Sequence, residues 1–422
     1  MTEKNLPQLP YEIYGLILYF CDKPNLKKAS LVNRSFYEIS HLYLFRSMLV
    51  GERITVRDSV KDASEFLKPT KILSLIEAHP NIAKYVRSLT IDCSREYHNE
   101  CWITDDTTMQ DLLPRFEELE EITIYAQTMT LWESLPSNFQ HALKTVFRKS
   151  QLHTFHIHGI LGFPLEVVSA SRIRHLSYNV GAPRSDGTST LPPHPLESLI
   201  LGRLYYFDLP QFQTIFSLDH LVELHLTIQC SADIGKFDPI LGLSAASLEV
   251  LTIRALLNFD PVEIAYEHIG RVLNAHQNVP CINLGQLQKL RRLIFCADLH
   301  ITCSREAMLY ICRIPWMIGC LETLSTSSVG SLSEVTFNVR PVGLGLERDS
   351  RYFYFNYPWQ DLADTLLSSN LATVKKVNLT INNAAIQSHR EQFMDILRRD
   401  LHLARLRDAG ILSIDAVQDW EY

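Results

Sequence analysis

A six-residue pattern with apolar residues at its first, fourth and sixth places recurs ten times between residues 86 and 379. It begins as Val86-Arg-Ser-Leu89-Thr-Ile91 and Leu119-Glu-Glu-Ile122-Thr-Ile124. It continues at 152–157, 173–178, 196–201, 221–226, 248–253, 290–295 and 332–337, and ends as Val374-Lys-Lys-Val377-Asn-Leu379. Side chains alternate along a strand, so the fourth and sixth places share one face. The first packs beside them where the chain turns into the strand. One such hexamer is a chance event. Ten in order give strand after strand the same apolar face, and stacked repeats bury such a face as one continuous core. Successive starts lie 21 to 42 residues apart, which leaves room for the loop or helix that parallel strands need between them. The expected fold class is α/β.

Length and composition bound the rest. A chain of 422 residues accommodates two to four ordinary domains, or one small domain and a repeat array. Hydrophobic residues make up 46% and charged residues 21%, which are globular values and exclude wholesale disorder. The net charge of −7 and the lack of a basic run argue against nucleic acid as partner. No 18-residue apolar run occurs, so no membrane-spanning helix is expected. Residues 1–7 show no basic segment leading into an apolar one, so no secretory leader is expected. The nine cysteines are odd in number and lack any CxxC, which fits reduced thiols in a cytoplasmic or nuclear protein.

The first fifty residues follow a different pattern. Leu9 and Pro10 lead into Glu12, and Pro10 suits the first turn of a helix. Ile13, Leu16, Ile17 and Phe20 then form an apolar stripe at helical spacing. A break at residues 21–25 precedes a second stripe through Leu26, Ala29 and Val32. A third follows Asn33-Arg34-Ser35, through Phe36, Ile39, Leu42, Leu44 and Phe45. Three short helices cannot bury all these faces among themselves, so part of the surface must meet another domain or chain.

On these residues the segment resembles an F-box, whose pattern begins Leu-Pro-x-Glu-Ile and continues with Ile-Leu. The matching positions are Leu9, Pro10, Glu12, Ile13, Ile17, Leu18, Leu26, Ala29, Val32, Phe36 and Leu44; Phe20 stands where leucine is common. The resemblance implies docking on the Skp-type adaptor of a cullin–RING ubiquitin ligase, through Leu9, Pro10, Ile13, Ile17, Leu18, Leu26, Val32 and Phe36. The hexamers resemble divergent leucine-rich repeats, lacking the usual asparagine after the third apolar position. That resemblance implies a solenoid with parallel strands on a concave face and helices and loops outside. The expected organisation is an F-box at 1–50, a helical linker or cap at 51–85 with a helix over 63–85 broken at Pro80, a repeat solenoid at 86–384, and a C-terminal helical cap at 385–422. Phe393, Ile396, Leu397, Leu401, Leu403 and Leu406 supply the cap's apolar positions.

In such a solenoid the fifth and seventh places would point to the concave face. That surface reads as mostly polar, uncharged and mixed. His156, His158, Ile200, His225, Arg254 and Ile294 are its candidate target-binding residues. His153-x-x-His156-x-His158 invites a zinc reading, but no second cluster of matched spacing accompanies it, so these are read as polar strand positions and no metal or cofactor is expected. The aromatic run 352–359 suits a core or cap position or a substrate anchor. Residues 181–195, rich in Gly, Pro, Ser and Thr, read as an exposed loop. Leu321-Glu-Thr-Leu324 reads as the end of a helix from about residue 305.

No Walker loop, GxGxxG, GxSxG or HExxH occurs, so no catalytic residue is expected. The function implied is a substrate-recognition subunit of an SCF-type ubiquitin ligase, with the adaptor, through it a cullin, and a target protein as partners. A scaffold that uses the same surfaces without ubiquitin transfer is the alternative.

Overall fold

The computed structural model describes residues 10–51, 67–93, 101–149, 151–169, 171–179, 192–202, 207–229, 231–255, 280–303, 308–311, 314–324, 331–344, 358–382 and 390–417. Leu9, the aromatic run from 352 to 357 and most of the 181–195 loop lie outside them. The chain divides into two units, residues 1–194 and 195–422.

The first unit opens with three helices, α1 (Tyr11–Tyr19), α2 (Lys23–Ala29) and α3 (Arg34–Leu44). Side-chain caps fix where two of them start. Asp22 Oδ1 accepts from the Asn25 N–H at 2.9 Å, and Asn33 Oδ1 from the Phe36 N–H at 2.9 Å. Each such cap contributes about 1 kcal/mol. A parallel sheet follows, with strand order equal to chain order: β1 (Ser47–Gly51), β2 (Ser88–Asp92), β3 (Glu121–Leu131), β4 (Thr154–Leu161) and β5 (His175–Asn179). Helix α4 (Pro69–Ala78) and α5 (Ser137–Phe147) lie between strands in sequence.

The second unit repeats the plan. Strands β6 (Ser198–Leu201), β7 (Glu223–Ile228), β8 (Val250–Ala255), β9 (Arg292–Cys303), β11 (Glu334–Leu344), β12 (Lys376–Asn382) and β13 (Leu412–Val417) pair in parallel in that order. The short β10 (Met308–Ile311) turns back antiparallel on β9. Helices α6 (Ser231–Ser244), α7 (Ile314–Glu322), α8 (Trp359–Leu366), α9 (Arg390–Arg399) and α10 (Leu401–Asp408) fall between strands.

The hexamers account for the parallel strands of each unit. The first, fourth and sixth places of all ten are buried. Their registers lock together: Leu89 pairs with Ile122, Ile122 with Phe155 and Phe155 with Leu176 in the first unit. Leu199, Leu224, Leu251, Leu293, Val335 and Val377 form the matching row in the second. The turn into each strand is shared as well. The second-place carbonyl of one hexamer accepts from both the second- and third-place N–H groups of the next. Arg87 O does so from Glu120 and Glu121, Glu249 O from Arg291 and Arg292, and Ser333 O from Lys375 and Lys376. Helices close over the apolar face. Phe147 of α5 meets Phe155 of β4 edge-on with ring centres 4.7 Å apart, and Trp316 of α7 meets Phe295 of β9 at 6.4 Å.

Four expectations are corrected. Strand β1 belongs to the sheet: Met48 pairs with Leu89 and Val50 with Ile91, and Arg46 O accepts from the Arg87 and Ser88 N–H groups. Phe45-Arg-Ser-Met48-Leu-Val50 is therefore an eleventh hexamer inside the expected 1–50 module, hidden because its first place, Phe45, also continues the apolar stripe of the helix before it. Of the helix expected over 63–85, residues 63–66 lie outside the described residues, and the helix begins at Pro69: Lys68, the residue before that proline, is extended, as pre-proline sterics favour, and Leu67 bridges Val50. The 385–422 segment is not wholly helical, because after α10 the chain adds β13 to the sheet edge. The helix expected from about 305 begins at Ile314, after the strand Met308–Ile311.

Strand β3 shifts register against β4 between Tyr125 and Thr130, opposite Gly159. Gly159 has φ +76°, and a Cβ there would stand 1.9 Å from the Ala126 carbonyl oxygen. Gly159→Ala should lower stability by at least about 1–3 kcal/mol, read as a fall in the urea midpoint; an unchanged midpoint would contradict this geometry.

Candidate functional site

The N-terminal helices carry the clearest candidate. Their small core consists of Leu18, Leu26 and Ile39, with Tyr14, Cys21, Ala29, Phe36, Tyr43 and Leu44 packed around it. Tyr14 and Phe36 sit with ring centres 4.8 Å apart, and Tyr43 Oη donates to Gly15 O at 3.2 Å. Tyr14, Leu18 and Cys21 thus form the inner side of α1 and its end. The stripe of Ile13, Leu16, Ile17 and Phe20 points the other way and is exposed. Phe20 is 81% exposed, Leu31 85% and Val32 66%. Tyr11, Tyr19, Tyr37 and Leu42 are also exposed.

The physical cause lies in the sequence of α1, YEIYGLILY, which is apolar nearly all round. A helix of that kind normally sits inside a core. Helices α2 and α3 cover one side of it and leave the other open. Scattered apolar residues on a surface mean little, but a cluster on adjoining helices marks an interaction site.

The adaptor-facing residues expected from sequence therefore divide. Pro10, Ile13, Ile17 and Val32 are exposed, and Phe36 is half-buried. Leu18 and Leu26 are corrected: both are buried and build the core that holds the helices together. Leu16, Phe20 and Leu31 join the exposed set. Helical spacing had marked Leu16 and Phe20, but spacing alone does not say which of two apolar faces turns inward.

The second candidate is the sheet face opposite the core. In the first unit the fifth-place row runs Thr90, Thr123, His156, Ser177, with His158 two residues beyond His156. In the second unit Ile200, His225, Thr252 and Ile294 form one row, and Arg254 pairs with Thr227 and Cys296 in the next. Thr252 is buried, whereas Ile200, His225, Arg254 and Ile294 are half-buried. The expected uncharged surface is corrected, because period-two alternation brings the third places onto this same face. His156 Nε2 lies 3.5 Å from Glu121 Oε1, and His225 Nε2 lies 3.0 Å from Glu223 Oε1. Glu334 gathers Arg292 at 3.4 Å, Lys376 at 3.2 Å and the Asn378 amide at 2.6 Å. Polar and charged groups in fixed rows can hydrogen-bond an extended peptide or a protein surface.

Burial lowers the pKa of His156 and of His158, with His175 and His156 respectively adding repulsion and Glu121 opposing the shift at His156. Both favour the neutral imidazole in the folded chain. Below the usual value of 6.5 the unfolded chain therefore binds protons more readily, and stability is lost as pH falls through that region. The urea midpoint should drop between about pH 7.5 and about pH 5.5, and a His156→Gln/His158→Gln double variant should narrow the drop. An equal drop in both proteins would contradict it.

Among the described residues no three His, Cys, Asp or Glu side chains are grouped as metal ligands, and no helix is long and apolar enough to cross a membrane. Trp359, the described end of the aromatic run, is buried at the start of α8. No family model matches the chain, and a search of curated proteins finds no match.

Proposed function

We propose that this chain is the substrate-recognition subunit of an SCF-type cullin–RING ubiquitin ligase. The N-terminal helices act as an F-box that docks a Skp-type adaptor, and the strand repeats act as a divergent leucine-rich-repeat solenoid that holds a target protein. The observation that carries this reading is the exposed apolar cluster of α1 and the α2–α3 turn, above all Ile17, Phe20, Leu31 and Val32, on helices that already have a core of their own. Docking buries those anchors in a partner's groove, where a few apolar residues supply most of the binding energy.

On this reading the chain itself makes and breaks no bond. It raises the effective concentration of a target lysine near a ubiquitin-loaded enzyme, so that an encounter becomes effectively intramolecular. The sheet's polar rows (His156 and His158 in one unit, Ile200, His225, Arg254 and Ile294 in the other) supply target contacts.

Affinity purification of the tagged full chain from cells tests this. Adaptor and cullin should both co-purify. Adaptor without cullin would replace the ligase reading with a scaffold that uses the same surfaces, and recovery of neither would overturn both.

A further inference from the structure

Two cysteines of the second unit lie together outside the surfaces described above. Cys281 is exposed and Cys320, on α7, is buried. The Cys281 sulfur packs against α7 at Gly319, the residue before Cys320, which brings the two thiols close enough to interact. The contact is built from both sides. Trp316 Nε1 donates to Pro280 O at 3.1 Å. Thr323 Oγ1 accepts from the Leu284 N–H at 2.9 Å, and its hydroxyl proton is shared between Cys320 O at 2.7 Å and Ile282 O at 3.1 Å. Trp316 and Cys320 lie on one face of α7 and Thr323 follows its last residue, so the segment carrying Cys281 is held on both sides of the thiol pair. Gly319 permits the approach: a Cβ there would stand 2.5 Å from Cys281 Sγ.

The pair is also chemically asymmetric. The neighbouring Cys320 thiol lowers the Cys281 pKa to about 7, against opposing effects of burial and of Glu322. Burial, then the neighbouring Cys281, raises that of Cys320. The thiolate is the nucleophilic form of cysteine, so the accessible member is also the reactive one. Cys93 and Cys101 are, by contrast, both buried, and the neighbouring Cys101 and burial raise the pKa of Cys93.

We propose that Cys281 and Cys320 form a redox modification site that reacts with hydroperoxides and closes reversibly into a disulfide. The Cys281 thiolate attacks one peroxide oxygen. An S–O bond forms, the O–O bond breaks, and the departing oxide takes a proton from water. Cys320 sulfur then attacks Cys281 sulfur; the S–S bond forms, the S–O bond breaks, and the leaving hydroxide departs as water with the Cys320 proton. The two thiols lose two electrons, and the peroxide gains them.

The test exposes the full chain to hydrogen peroxide and maps the peptides by mass spectrometry, with and without dithiothreitol. The expected product joins the Cys281 and Cys320 peptides, is lighter by two hydrogens, and reverts with dithiothreitol. Gly319→Ala should slow that closure severalfold while Cys281 still forms a dimedone-trapped sulfenic acid. Cys281→Ser, at an exposed position, should leave the fold intact and Cys320 unoxidised, which covers the case in which a Cys320 variant fails to fold. Cys281 left reduced, Cys281 joined to a different cysteine, or closure at the parent rate in Gly319→Ala would overturn the proposal.

Discussion

Ile17→Asp and Val32→Asp should each abolish capture of a Skp-type adaptor while the melting temperature stays within a few degrees of the parent chain. Ile17 is 48% and Val32 66% exposed, so an aspartate at either place remains hydrated in the free protein. In a docked complex the same carboxylate would be desolvated without a partner, and the lost apolar burial alone costs about 1.5–3 kcal/mol per side chain. At about 1.4 kcal/mol per tenfold, that is roughly a ten- to hundredfold loss of affinity before the charge is counted. Leu18→Asp is the internal contrast. Leu18 is 2% exposed in the helical core, so this variant should lose stability and adaptor together. Binding by Ile17→Asp at the parent level, with the fold intact, would remove α1 from the interface. Pull-down alongside thermal denaturation reads both quantities.

The largest stability loss should come from Phe155→Ala. Phe155 occupies the fourth place of its hexamer, is fully buried, and packs against Phe147 at 4.7 Å and Phe163 at 5.3 Å. Truncation of a buried phenylalanine costs about 3–5 kcal/mol, since the cavity it leaves collapses only in part. His156→Ala, one residue along on the opposite sheet face, should move the urea midpoint little. Equal effects at 155 and 156 would mean that the strand does not alternate between core and surface as its burial indicates.

Much of the architecture was legible because the apolar hexamer reports two physical constraints at once. Leu224 and Leu226 are two residues apart, which only a strand can place on one face, and Leu221 precedes them where the turn repeats. The strands that escaped sequence reading carry a blurred signal. In β1 the first-place Phe45 also continues the apolar stripe of α3, and before β13 Ala409 stands where the other hexamers carry a large first-place residue. The sheet face was half legible: alternation placed His156 and His225 correctly, yet Glu121 and Glu223 share their face and were left out of the row. For the N-terminal helices the spacing of Ile13, Ile17 and Phe20 was plain, but α1 is apolar on two sides, and only the packing of Leu18 against Leu26 and Ile39 decides which side remains open.

Titration calorimetry of recombinant Skp-type adaptor into the purified full chain tests adaptor docking most directly. The expected result is saturable one-to-one binding with a negative heat-capacity change, the mark of apolar surface leaving water, abolished by Val32→Asp. Absence of binding by the folded parent chain, or binding that Val32→Asp leaves unchanged, would contradict it.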